Sequence, residues 1–275
     1  MSEVFDAYSP KEIAEKVETI GVAKARLPLH SKLALGILAG GFIGLGAFYF
    51  TVVTSDTTLN FAANRMLGGV AFSLGLILVV IAGAELFTGN NLLVLAWSGK
   101  RITTGELLRD WIIIYLANFV GALGLVLLVY LSHQWEMNQN AVGIHAVKIA
   151  AAKVNLPFWQ AFFKATLCNV LVCLAVWLAL AGRGVADKIL AIVFPISAFV
   201  AAGLEHSVAN MYFIPLGVLL QPQLNVAGAE GLSWAALWTN LVPVTLGNVF
   251  GGGVMVALVY RFVYRAQPSD LTGRP

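Results

Sequence analysis

Gly83-Ala84-Glu85-Leu86-Phe87-Thr88-Gly89-Asn90-Asn91 interrupts one long apolar run, and Gly203-Leu204-Glu205-His206-Ser207-Val208-Ala209-Asn210 interrupts another. Each opens with glycine, places a glutamate two residues on, and then reaches asparagine, with Asn210 closing the second. Glycine, asparagine, serine and threonine are the residues an unwound segment needs. The runs they interrupt, Met66–Trp97 and Ile189–Leu220, are too long for single ordinary crossings. Both are therefore read as membrane helices broken in mid-course.

Four further runs are long enough to cross a bilayer: Leu33–Val53, Trp111–Leu131, Phe158–Ala181 and Leu237–Tyr260. The third and sixth spans rhyme, as Asn118-Phe119-Val120-Gly121-Ala122 and Asn248-Val249-Phe250-Gly251-Gly252. Spans one to three thus repeat as four to six. Three spans per half force the halves into opposite orientations, an inverted repeat with discontinuous helices that meets near the membrane midplane. The composition agrees: 59% of the 275 residues are hydrophobic and 11% charged, against about a quarter charged in soluble domains.

The expected fold is an all-α membrane protein of six transmembrane helices, a 3+3 inverted repeat broken in helices 2 and 5. Residues 31–262 form its channel domain, 1–30 a cytoplasmic N-terminal segment and 263–275 a cytoplasmic tail. Thirteen basic residues fall in segments on the side of the termini (Lys11, Lys16, Lys24, Arg26, Lys32, Lys100, Arg101, Arg109, Arg183, Lys188, Arg261, Arg265, Arg274). Four fall on the other (Arg65, Lys148, Lys153, Lys164). This asymmetry predicts cytoplasmic termini. Phe5 to Val22 places Ile13, Val17 and Ile20 at helical spacing and reads as an amphipathic helix, either lying on the membrane surface or gating the pore. The net charge of +3 is spread among loops, without the continuous stripe a nucleic-acid binder needs. Cys168 and Cys173 sit on one predicted helix and read as free thiols. No cleavable leader is visible, because the first thirty residues lack an apolar core segment.

Broken backbone at membrane depth must face protein or a water-filled path. A half-helix N-terminus pointing inward offers N–H groups and positive potential, which suit an anion. His206 is the one histidine inside a predicted span. It is the leading candidate to hydrogen-bond an anion, or to hand it a proton so that it leaves as a neutral acid. Thr88 and Asn169, short polar groups in apolar surroundings, are expected partners for His206 or for the substrate. Glu85 and Glu205 would repel an anion and are expected instead to accept backbone N–H groups at the breaks. Phe72, Leu76, Leu86, Phe87 and Phe199 flank the breaks and suit apolar constrictions that exclude hydrated ions. Lys153 either draws anions to the outer mouth or is an ordinary solvated lysine.

These residues resemble the formate/nitrite transporter family. Val80 to Gly89 is similar to that family's first signature and Ala165 to Ala175 to its second, while Gly203 to Asn210 resembles its broken fifth helix. The likeness runs from about residue 5 to 265. It implies an aquaporin-like protomer in a homopentamer of the cytoplasmic (inner) membrane, with a pore in each protomer. His206 would be the central pore histidine, Thr88 its partner and Asn169 the polar residue beside them. Phe72, Leu76, Leu86, Phe87, Val172 and Phe199 would line two constrictions, and Lys153 would be the outer basic residue. Glu85 stands where many members carry aspartate. The expected substrate is formate, carried in a proton-coupled or passive manner, with nitrite or hydrosulfide as alternatives. A channel for water or small neutral solutes would place Asn-Pro-Ala at both breaks, a sequence found at neither. An enzyme or haem protein would need paired in-span histidines or a metal cluster, so neither cofactor nor metal is expected.

Overall fold

The computed structural model describes residues 8–56 and 58–264. Phe5 to Ala7 of the expected first helix and residues 265–275 of the expected tail lie outside the described residues. The first helix, α1 (Pro10–Ala25), starts at a capping box: the Ser9 amide donates to Glu12 Oε2 (2.6 Å) and the Glu12 amide to Ser9 Oγ (3.3 Å). Then follow α2 (Leu29–Thr54) and α3 (Phe61–Leu78), the latter running on through a π turn, Val79–Gly83. Beyond the first break come a 3-10 turn, Gly89–Leu92, and the short α4 (Leu93–Ser98). The first half closes with α5 (Thr104–Leu131).

The second half repeats this order with α6 (Ala141–Val154), α7 (Phe158–Ala181), α8 (Val185–Ala201), the second break, α9 (Ser207–Leu224) and α10 (Trp234–Val249). The last helix continues through a π segment, Phe250–Leu258, into α11 (Val259–Val263). Among the described residues no strand occurs.

Among the described residues five helices are long and apolar enough to cross a membrane: Leu29–Thr54, Phe61–Gly83, Thr104–Leu131, Phe158–Ala181 and Trp234–Val263. The fifth crossing is not among them because, as expected, a break divides it, here into α8 and α9. Several helices also start before their apolar runs. The first turns of α5 are polar but helical, since Thr103 and Glu106 form a second capping box and Asp110 is buried against Lys32 (2.6 Å).

The packing confirms the duplication. α2 lies against α3 and α5 as α7 lies against α8 and α10. α1 touches α4, α5 and α7 as α6 touches α9, α10 and α2. α1 is thus the counterpart of α6, the helix that occupies what the sequence suggested was an outer loop. Close approach of the long helices depends on glycine. A Cβ on Gly121 would fall on the carbonyl of Ile37, and one on Gly251 on the carbonyl of Thr166, the same contact in each half. The apolar face of α1 is turned inward. Ile13, Ala14, Val17 and Ala25 are buried in a cluster with Leu92, Leu93, Ala96 and Trp177, on the protein itself.

Candidate functional site

Both breaks are built alike. α3 ends with Gly83 at φ +81° and the Ala84 amide donating to Val79 O (2.9 Å). α8 ends with Gly203 at φ +70° and the Leu204 amide donating to Phe199 O (3.1 Å). A left-handed glycine that turns a following amide back onto the last helical turn is the standard way to satisfy orphan carbonyls.

The released backbone is then held by one asparagine in each half. Asn118 of α5 donates to Gly36 O (2.8 Å) and Glu85 O (2.9 Å) and accepts from the Phe87 amide (2.9 Å). Asn248 of α10 donates to Ala165 O (2.9 Å) and Glu205 O (3.1 Å) and accepts from the Ser207 amide (2.9 Å). These are the asparagines of the sequence rhyme. They bridge three elements, so each break is fixed to two continuous helices.

Glu85 and Glu205 do not accept the backbone amides expected of them. Glu85 Oε2 accepts from Lys24 Nζ of α1 (3.1 Å) and Asn90 Nδ2 (2.8 Å). Glu205 accepts from Lys153 Nζ of α6 (2.9 Å) and Asn210 Nδ2 (2.7 Å). The asparagine side chain then continues the chain, Asn90 to Asp110 (3.0 Å) and Asn210 to Asn240 (2.8 Å). Lys153 is accordingly not a solvated lysine: its side chain is 13% exposed and ion-paired. Pairing also satisfies carboxylates that would otherwise be costly at this depth.

His206 caps α9. Its Nδ1 accepts from the Ala209 amide (3.1 Å), which assigns the proton of the neutral ring to Nε2. Nε2 lies 2.9 Å from Thr88 Oγ1, so the imidazole donates across the centre of the molecule from one break to the other. The expected pairing of His206 with Thr88 is present. The expected offer of N–H groups at the half-helix is reduced, because Asn248 takes the Ser207 amide and the imidazole takes that of Ala209. His206 also stacks on Phe199, centroids 6.0 Å apart and planes at 15°.

Asn169 reaches Thr88 rather than the imidazole. Its Nδ2 faces Thr88 O (3.2 Å), Asn91 Oδ1 (2.7 Å) and Asn248 O (2.7 Å), while its Oδ1 has no partner among the described residues. Cys173 Sγ adds a weak donor to Thr88 O (3.4 Å). Thr88 is thereby fixed by its backbone, and its hydroxyl is the group left to serve the centre. Both cysteines are free and buried.

Two cavities approach this centre. The one on the α1 side, about 330 Å³, is lined by Val17, Ile20, Lys24, Leu76, Glu85 and Leu86 among others. The one on the α6 side, about 310 Å³, is lined by Arg65, Phe72, Lys153, Lys164, Phe199, Glu205 and His206 among others. Leu76 and Leu86 thus face one cavity and Phe72 and Phe199 the other. Phe87 is turned away: its ring packs edge-on against Tyr115 (4.9 Å) and Trp111 (6.3 Å), and it lines neither cavity. Val172 is buried and likewise lines neither. Among the described residues no group of three or more metal-ligating side chains occurs.

The sequence pattern assigned no part in the site to Lys24, Lys32, Arg65, Asn90, Asp110, Asn118, Asn240 or Asn248. The signal for one pair was present. Lys24 precedes the α2 site of close approach at Ile37 by the same interval as Lys153 precedes Thr166 of α7.

Comparison with known proteins is consistent with this architecture. The formate/nitrite transporter family matches residues 11–262. The formate channel FocA of Escherichia coli strain K12 is 39% identical over 272 residues, covering 94% of this chain and 95% of its own. A probable formate transporter of Methanothermobacter thermautotrophicus is also 39% identical, over 93% of this chain and 97% of its own. A solved pentameric formate channel with formate bound superposes with a TM-score of 0.80 at 36% identity, covering 86% of this chain and 97% of its own. A solved FNT family ion channel gives 0.81 at 32% identity, over 91% and 98%. With paired breaks, a bridging imidazole and a match along nearly its whole length, this multi-pass membrane protein belongs to the formate/nitrite transporter family.

Proposed function

We propose that the chain conducts formate through a pore in each subunit of a homopentamer in the cytoplasmic membrane, with both termini in the cytoplasm. On this reading it is a channel or transporter and not an enzyme. The observation that carries the proposal is the His206–Thr88 bridge between the two breaks, with a cavity approaching from each side. Kinship to proteins named as formate channels supplies the substrate. Large apolar side chains exposed on α2 and α5, such as Leu38, Tyr49, Leu116 and Leu128, suit lipid and neighbouring subunits.

On the α6 side, which the charge asymmetry assigns to the outside, Arg65, Lys153 and Lys164 face a single acid, Glu205. A cleft with excess positive charge concentrates anions at its mouth. A formate ion leaving it meets Phe72 and Phe199, where bulk water is excluded and desolvating a bare anion is costly. The Thr88 hydroxyl, or His206 Nε2–H once turned from Thr88, then offers a replacement hydrogen bond. While the ring donates to Thr88 Oγ1, the threonine proton is free to point at the anion, and charge-assisted bonds of this kind are the strong ones. Leu76 and Leu86 guard the exit toward the α1-side cavity, whose Lys24 and Glu85 balance in charge.

The tautomer bears on proton coupling. A neutral ring whose sole proton sits on Nε2 hydrogen-bonds an anion readily but gives up that proton only after gaining another. The second proton would enter at Nδ1, in competition with the Ala209 amide. Hydrogen bonding at the centre is therefore the primary step in our reading, and full protonation of formate requires α9 to loosen at its cap. The test is radiolabelled formate flux into proteoliposomes for the native protein and His206→Phe across pH. Unchanged flux and an unchanged pH profile would remove His206 from the mechanism. Competition by formate, nitrite and hydrosulfide in the same assay ranks the substrates.

A further inference from the structure

The two cavities match in size but not in chemistry. The α1-side cavity is walled by aliphatic side chains, and its lysine and glutamate cancel. The α6-side cavity is walled by Phe50, Phe72, Phe199 and Phe213, which form a continuous edge-to-face chain. Phe72 meets Phe199 at 5.6 Å and Phe50 at 6.5 Å, and Phe50 meets Phe213 at 5.9 Å. Beside these rings stand two cations that the Lys153–Glu205 pair leaves over. Arg65 is anchored through Nε to Ala201 O (2.9 Å) and Nη2 to Val200 O (3.2 Å), with its remaining N–H groups unassigned. Lys164 of α7 has no ion-pair partner among the described residues. The space, about 310 Å³, equals roughly ten waters of liquid volume. A one-carbon ion fills little of it.

From this juxtaposition we infer that the α6-side vestibule is a binding site for aromatic monoanions, with the charged group toward Arg65 and Lys164 and the ring among the phenylalanines. Aromatic edges carry partial positive charge and faces partial negative, so a guest ring finds both edge-to-face and offset partners there. A cavity of this size with a mostly apolar wall and a few convergent polar groups is typical of small-molecule sites. A ligand bound there covers the approach to Phe72, Phe199 and His206 and obstructs passage from that face. Nothing comparable lines the α1-side cavity, so the effect is one-sided.

Benzenesulfonate is a suitable probe, since it stays ionised and does not cross the bilayer as a neutral acid. Its binding is read by calorimetry on the detergent-solubilised full chain, which needs no assumption about what is transported. We expect methanesulfonate, which has the charge without the ring, to bind about tenfold more weakly. Lys164→Gln is expected to weaken benzenesulfonate about fivefold and to leave the ring's advantage over methanesulfonate in place. In oriented vesicles, benzenesulfonate on the α6 face should inhibit anion flux, and on the α1 face it should not. Equal binding of the two sulfonates, no effect of Lys164→Gln, or equal inhibition from both faces would each overturn the assignment. Absence of formate flux would refute the proposed substrate while leaving the calorimetric result to decide this site.

Discussion

Replacing Asn118 by leucine isolates the energetics of the first break. The side chain is fully buried and serves three backbone groups: two carbonyls, of Gly36 and Glu85, and one amide, of Phe87. Leucine has the same branched skeleton with bulkier methyl ends, so no cavity opens and any crowding adds to the loss. The Gly36 carbonyl lies within α2, whereas Glu85 O and Phe87 N belong to a non-helical stretch. Orphaning a buried polar group costs about 1–3 kcal/mol, so two such groups cost about 2–6 kcal/mol. The loss is read as a lower SDS fraction at the midpoint of unfolding in mixed micelles, with formate flux in proteoliposomes measured in parallel. Flux should fall along with stability, because Thr88 is positioned by this segment. Asn118→Asp retains an acceptor for Phe87 but no donor for the carbonyls and brings negative charge beside Glu85, so it should not rescue. A leucine variant that unfolds with the native protein and conducts normally would refute the idea that this asparagine holds the break.

Thr88→Ser should keep most of the flux and Thr88→Val should lose about tenfold or more, because a hydrogen bond to a charged group is worth about 1.5–3 kcal/mol; equal flux in the two variants would exclude the hydroxyl. Lys32→Met strands Asp110, whose pair with Lys32 is almost wholly buried, and should destabilise by about 3–5 kcal/mol, with Lys32→Met/Asp110→Asn recovering part of it in the same SDS titration. Gly83→Ala meets nothing within 4 Å but must adopt φ +81°, so it should cost only about 1–2 kcal/mol, whereas Gly252→Ala meets Asn169 Nδ2 at 2.5 Å and Cys173 Sγ at 2.7 Å and should disrupt the centre. His145 of α6 has its Nε2 2.8 Å from Thr54 Oγ1, and burial, then Lys148 and Arg65, hold its pKa down to about 4 from 6.5. The unfolded chain therefore takes up this proton first, so stability falls as pH drops from about 6.5 toward 4, and His145→Gln should flatten that part of a melting-versus-pH curve.

Much of the fold was legible because membrane depth leaves few choices. Two glycine-led interruptions in overlong apolar runs had to be broken helices, and the Asn118 and Asn248 rhyme marked the duplication. The His206–Thr88 pairing was legible from the same logic, since each lay at an interruption. What escaped was the set of partners chosen across space. Glu85 and Glu205 were assigned to backbone amides because those lay nearby in sequence, but lysines from α1 and α6 reached them instead. Phe87 sits between Leu86 and Thr88, yet in the turn closed by the Asn90 amide on Leu86 O its ring points elsewhere, into Trp111 and Tyr115. α6 was taken for loop because its run Ala141–Val154 is too short to cross the bilayer. The polar starts of α5 and α2 were trimmed because hydropathy registers lipid contact and not helicity.

Because α1 and α6 occupy matching places, the duplicated unit runs from Pro10 to Leu131 and again from Ala141 to Val263, and the first helix is part of it. The chain between them is a short connector around the 3-10 turn Gln134–Glu136. A cut there would leave two self-consistent pieces, each retaining its own asparagine clamp and its own lysine–glutamate pair. The cut would divide the packing of α3 on α8 and of α5 on α9, and with it the centre, Thr88 in one fragment and His206 in the other, so reassembly of co-produced halves is what would restore passage.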